Sequence, residues 1–134
     1  MKSPFKIVTA LTCEHIIEGS NKKHTLINTY AGNVLLNEFP AQLFLAFYIE
    51  FVCNKAQAVD AEIALFVGRK EAMRGAVQVA FDGVNPVILS IPAGVLKLEK
   101  PTTLKLVITP KGGKAMKIVE KRLMLLESQN FPTS

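Results

Sequence analysis

Chemistry-bearing side chains are scarce in this chain. Two cysteines, Cys13 and Cys53, and two histidines, His15 and His24, are its whole stock of thiols and imidazoles. Two cysteines are too few for a disulfide scaffold. Both sit in apolar runs, where a free thiol behaves as a small hydrophobe. A bridge between them would close a loop of about 40 residues and contribute roughly 4 kcal/mol by loop entropy, but free thiols in a reducing compartment are the favoured reading. Cys13, Glu14, His15 and His24 can be drawn as a zinc site. They lack the compact paired spacing of structural zinc, and strand alternation sends Cys13 and Glu14 to opposite faces.

Other catalytic arrangements are missing too. The serines, Ser3, Ser20, Ser90, Ser128 and Ser134, fall mostly at ends and turns, and none occupies a glycine-flanked nucleophile elbow. Gly112-Gly113-Lys114 lacks the rest of a phosphate-binding loop and reads as a hairpin tip. Asp60 and Glu62 share a strand face, but their alternation with Ile63 and Leu65 turns them outward as solvating groups. These absences exclude most enzyme classes, and no metal or other cofactor is expected. No apolar stretch reaches the roughly 18 to 20 residues of a membrane-spanning helix. The start is a poor export signal, because Lys6 interrupts the apolar run and Thr12 is not the small residue a lipoprotein site wants before Cys13. The expected location is therefore cytoplasmic.

What the chain does have is apolar residues and lysines. Hydrophobic residues make up 49% of its 134 positions, a surplus to be buried or shared with a partner. Sixteen basic against eleven acidic residues give a formal charge of +5. The excess lies late in the chain, where Lys97, Lys100, Lys105, Lys111, Lys114, Lys117, Lys121 and Arg122 face Glu99, Glu120 and Glu127. Lys105, Lys111, Lys114, Lys117 and Lys121 thus form a candidate basic face for nucleic acid or another anionic surface. Lysines that decorate turns and strand edges against aggregation are the simpler reading. Aromatics and lysines are also segregated along the chain, unlike an interleaved nucleic-acid platform, so nucleic acid is the less favoured partner.

The hydrophobic pattern is a rhythm of short Val, Ile, Leu, Phe and Thr runs closed by turn-forming clusters every 8 to 15 residues or so, the spacing of an all-β sandwich or barrel. Strands are expected over 5–17, 24–31, 34–36, 42–53, 59–67, 73–81, 87–91 and 103–109. The first two should form a hairpin across Glu18 to Lys23, and the odd positions Phe5 to Cys13 should share one face. Turns are expected at Gly68-Arg69, Asp82-Gly83, Ala93-Gly94 and Lys100-Pro101, the first two making two meander hairpins. Lys114 to Glu127 has good helix formers but follows a hairpin-like Lys111-Gly112-Gly113, and a strand is the preferred assignment. The fold class is therefore an all-β, two-layer antiparallel sandwich of about eight strands. It forms a single domain over 1–127, with 128–134 a loose polar tail.

Leu11-Thr12-Cys13-Glu14, then Lys23-His24-Thr25-Leu26-Ile27-Asn28, then Glu38-Phe39-Pro40 resembles, in that order, a family of uncharacterised bacterial and phage-encoded domains. Those domains open on a similar Cys-Glu strand and continue with a Gly-Lys-x-Ser-Leu-Ile-Gly/Asn strand and an aromatic-Pro step. Here Lys22-Lys23 replaces the turn Gly-Lys, and Thr25 replaces Ser. The resemblance covers the first 40 residues or so. It implies an immunoglobulin-like sandwich, phage-related and of no known activity.

The run Gln42 to Cys53 carries the main functional hint. Leu43, Leu45, Phe47, Ile49 and Phe51 occupy one face, with Phe44, Tyr48 and Val52 on the other. A strand wetted on one side would not be apolar on both, so either a second layer covers it or another protein does. The expected function is a non-catalytic interaction or structural module that pairs with itself or with a protein partner, with Phe44, Tyr48 and Val52 as interface candidates. Two alternatives compete with it. One is anionic-surface binding through the late lysines, and the other is a small-ligand or carbohydrate-binding sandwich using loops such as 68–71 and 92–94. Far-UV circular dichroism is expected to be β-dominated, with less than about a fifth of the residues helical.

Overall fold

The computed structural model describes residues 4–21 and 23–126, without the side chain of Ala93. The tail assigned to 128–134 lies outside them. The described residues contain nine strands and no helix, hence none long and apolar enough to cross a membrane. The strands are β1 (Lys6–Glu18), β2 (His24–Thr29), β3 (Val34–Leu36), β4 (Ala41–Val52), β5 (Ala56–Val67), β6 (Lys70–Asp82), β7 (Val87–Leu98), β8 (Thr102–Pro110) and β9 (Met116–Leu125). They form two packed sheets, one ordered β2-β1-β4-β7 and the other β3-β9-β8-β5-β6. Every pairing is antiparallel except β3 with β9, so the chain is an all-β sandwich.

The core is the inner face of β4 set against the second sheet. Leu45, Phe47, Ile49 and Phe51 are fully buried against a layer that includes Ile63, Leu65, Leu104, Leu106, Ile108 and Leu123. The period-two expectation for β5 holds, with Ala61, Ile63 and Leu65 inside and Asp60 and Glu62 outside. Thr102 to Pro110 and Met116 to Leu125 flank the loop at Lys111 to Ala115 as a hairpin, and the ambiguous late segment is a strand that buries Val119 and Leu123.

Three expectations need correction. The odd-numbered face proposed for β1 is broken at Val8, where the register with β4 slips between Ile7 and Thr9. The extra residue reverses the phase, so Val8 is 55% exposed while Ala10 packs against the core. Ala93-Gly94 is not a turn. It is a bulge within β7, with Gly94 at φ 77°, and the strand runs on to Leu98. Glycine takes this left-handed backbone without a Cβ penalty, which lets one strand absorb an extra residue. Finally, Asp82-Gly83 does not join a second hairpin. β6 and β7 belong to different sheets, and Asp82 Oδ1 accepts the N–H groups of Val84 at 2.8 Å and Asn85 at 2.7 Å to shape the crossing.

Phe47 is wholly buried at the centre of the β4 layer. Phe47→Ala is expected to cost about 3–5 kcal/mol, read as a lower urea midpoint with an unchanged slope.

Candidate functional site

β4 lies between β1 and β7, so its main-chain groups are already paired and only its outer face remains to be covered. That face carries Phe44, Ala46, Tyr48 and Val52. Much of the cover comes from the same chain. Leu11 is the β1 partner of Tyr48, and Glu18, seven residues further along β1, is the partner of His24. A flat continuation would leave His24 about 23 Å from Tyr48 along the strand direction. Their rings instead meet edge to face with centroids 5.4 Å apart. The β1–β2 hairpin therefore folds back over the outer face of its own sheet.

This fold-back explains the burial pattern. The His24 side chain is only 13% exposed, so it is not a surface imidazole. His15 stays exposed but tilts against Phe44, with ring centroids 5.4 Å apart. Cys13 becomes fully buried, its thiol shared between the carbonyl oxygens of His15 at 3.3 Å and Ala46 at 3.8 Å. Burial pushes that thiol upward in pKa, and hydrogen bonds from the His15 and Ile27 backbone only partly offset it. A protonated, enclosed thiol is a poor nucleophile. Both cysteines are free, and Cys53 sits beyond the far end of β4, where its sulfur accepts from Gln57 Nε2 at 3.1 Å.

Between hairpin and sheet lies a groove of about 250 Å³. Glu14, His15 and Glu18 line the hairpin side, with Phe44, Ser90 and Pro92 on the sheet side. The Ser90 hydroxyl is enclosed and has no hydrogen-bond partner among the described residues. At the groove mouth, Phe44 is 44% exposed, and Val95, its directly paired neighbour on β7, is 47% exposed. Tyr48 and Val52 are half-buried. Of the three interface candidates, Phe44 is thus the one that projects into solvent, and Val95 is the partner that sequence reading missed. The expected turn at Ala93-Gly94 had cut the strand before Val95. The loops 68–71 and 92–94 do not form a common site either, since the first is the β5–β6 turn and the second is the β7 bulge.

The late lysines do not share one face. Lys121 turns away, donating to the carbonyl oxygens of Tyr30 at 3.1 Å and Gly32 at 2.6 Å, and partial burial lowers its pKa. Lys117 pairs with Glu120 at 3.0 Å, while Lys105 lies over the Phe66 ring, 5.8 Å from its centroid. Lys111 and Lys114 are exposed in the β8–β9 loop. On the same outer surface, Arg74 bridges Glu62 at 2.7 Å and Glu71 at 2.5 Å, and Gln78 donates to Asp60 at 3.0 Å. The sheet face is a compensated mixture of both signs. Among the described residues, no three His, Cys, Asp or Glu side chains gather as a metal site. No protein-family model matches the chain, and a search of curated proteins returns no match.

Tyr30 ties the end of the hairpin to the sheet, its phenol donating to the Phe44 carbonyl at 3.0 Å. Burial, followed by the charges of Glu14 and Cys13, pushes its pKa from 10.0 up to about 12. The folded state thus holds the proton more tightly than the unfolded chain. The stabilisation from this group should be complete below pH 10 and decline as pH rises from about 10 to about 12. In a Tyr48→Phe variant, ultraviolet titration of the remaining tyrosine should show ionisation near the upper value.

Proposed function

We propose that this protein is a non-catalytic interaction module that associates with its own kind through the outer face of the β2-β1-β4-β7 sheet. The observation that carries this reading is the pair Phe44 and Val95, two large apolar side chains side by side and nearly half exposed. The folded-back hairpin buries Cys13 and half-buries Tyr48 but leaves this pair at its margin, next to the exposed Pro92 and the His15 ring. Burying a large apolar side chain fully is worth roughly 1.5–3 kcal/mol. A second copy presenting the same pair across a two-fold axis would supply the missing cover, because such a contact is self-complementary.

The enclosed Cys13 thiol and the outward, engaged carboxylates Asp60 and Glu62 support a non-catalytic reading. The resemblance of the first 40 residues or so to phage-related, immunoglobulin-like domains fits a binding role. The mixed charge on the opposite sheet gives less support to an anionic partner, which would call for a field of one sign.

Phe44→Asp places a charge at an already exposed position and is expected to keep the β spectrum. By light scattering or sedimentation it should lower the average mass of the protein in solution. An unchanged mass distribution for Phe44→Asp would refute association through this face.

A further inference from the structure

The sandwich has four sheet edges, and three of them are blunted. β3 is only three residues long. β2 has six residues and is broken from extended geometry by Asn28 at φ 54°. β7 carries Pro92, which has no N–H to offer, together with the bulge at Gly94. Short strands, prolines and bulges are the standard protection against edge-to-edge pairing. β6 is the exception over most of its length, since its one irregularity, the extra residue Ala72, lies near its start. It runs for thirteen residues without a proline, and among the described residues its one hydrogen-bonded neighbour is β5. Of its two cations, Lys70 stands at the very start of the strand, outside its central stretch, and Arg74 is drawn back over its own sheet by Glu62 and Glu71.

We infer that β6 is a docking edge for β6 of a second copy, antiparallel about a two-fold axis at Ala76. Ala76 is the midpoint of Lys70–Asp82, so this register gives the longest overlap. The β5–β6 register slips between Leu65 and Phe66. Ala72 is the extra residue, and it shifts the phase of the first residues of β6, which makes 73–79 the flush segment. Within that segment Met73 would face Val79 of the second copy, Arg74 would face Gln78, Gly75 would face Val77, and the two Ala76 residues would meet. Met73 and Val77 lie on the core side and are only half-buried at the open edge, so the new strand would complete their cover.

The outer side of the pairing is equally compatible. On that side Ala76 is small and exposed, and on the core side a Cβ added at Gly75 would meet nothing within 4 Å, so a strand can approach closely. No like charges oppose each other in the flush segment. Gln78 already donates to Asp60, and Arg74 of the second copy would extend that row as carboxylate, amide and guanidinium. Main-chain hydrogen bonds would supply the affinity, as in other strand additions. The five-stranded sheet would become ten-stranded, within the usual limit for a twisted sheet.

This contact is separate from the Phe44 face, and the test keeps the two apart. In the Phe44→Asp protein, sedimentation is expected to show a monomer–dimer equilibrium. Adding Ala76→Glu, or separately Ala76→Lys, sets like charges against each other on the axis and should raise the dimer dissociation constant at least about tenfold. Mixing the Glu and Lys proteins should restore the dimer, since opposite charges then meet. Both substitutions are at an exposed position, and circular dichroism checks that the fold is kept. A monomeric Phe44→Asp protein at all accessible concentrations would overturn the inference, as would an Ala76→Glu protein that dimerises undiminished or a mixture that fails to re-form the dimer.

Discussion

The structure depends on β4 having two apolar faces that one sandwich interior cannot both hold. Its inner face, Leu43, Leu45, Phe47, Ile49 and Phe51, forms one side of the core. Each such side chain contributes roughly 1.5–3 kcal/mol of burial, enough to fix β4 at the centre of its sheet. The outer face then faces water unless something covers it, and the folded-back β1–β2 hairpin does much of that work. The bulge at Val8 and the ring contacts of His15 and His24 belong to the same arrangement, since they set the phase of β1 and hold the hairpin down.

Charge is handled differently on the two sheets. On the outer surface of the β3-β9-β8-β5-β6 sheet, Arg74 and Lys117 pair with carboxylates and Lys105 with an aromatic ring. Exposed pairs of this kind add little stability. Their larger effect is to leave that face without a strong field of either sign. Lys121 leaves the surface to serve as an internal donor for the β2–β3 connection. An ammonium held by two carbonyl oxygens is a structural tie and contributes little to attracting an anion.

Exposed apolar pairs and unprotected edges are the features a small sandwich must manage to stay monomeric, and the described residues include both. Phe44 with Val95 is a side-chain surface, and β6 is a main-chain surface. The first would be held by burial and the second by directional hydrogen bonds. They would therefore respond differently to substitution, even though both are self-complementary.

The sequence by itself determined the strand content, the identity of the core faces and the double-sided apolarity of β4, because a period of two in side-chain direction is a local property of an extended chain. Val59 to Val67 and Thr103 to Thr109 are legible in this way. Tertiary structure decided what covers β4, since sequence alternation says that a face is apolar and not which segment returns to it. A bulge costs one residue, Val8 carries no mark of one, and the glycine that permits the other at Gly94 serves a turn equally well, so neither the phase change in β1 nor the continuation of β7 to Val95 could be read from the pattern. The same limit applies to Lys121 and to the β6 edge: whether a lysine reaches solvent or a carbonyl, and whether a strand has one neighbour or two, depends on the order of strands in a sheet, which is set by contacts between residues far apart in the chain.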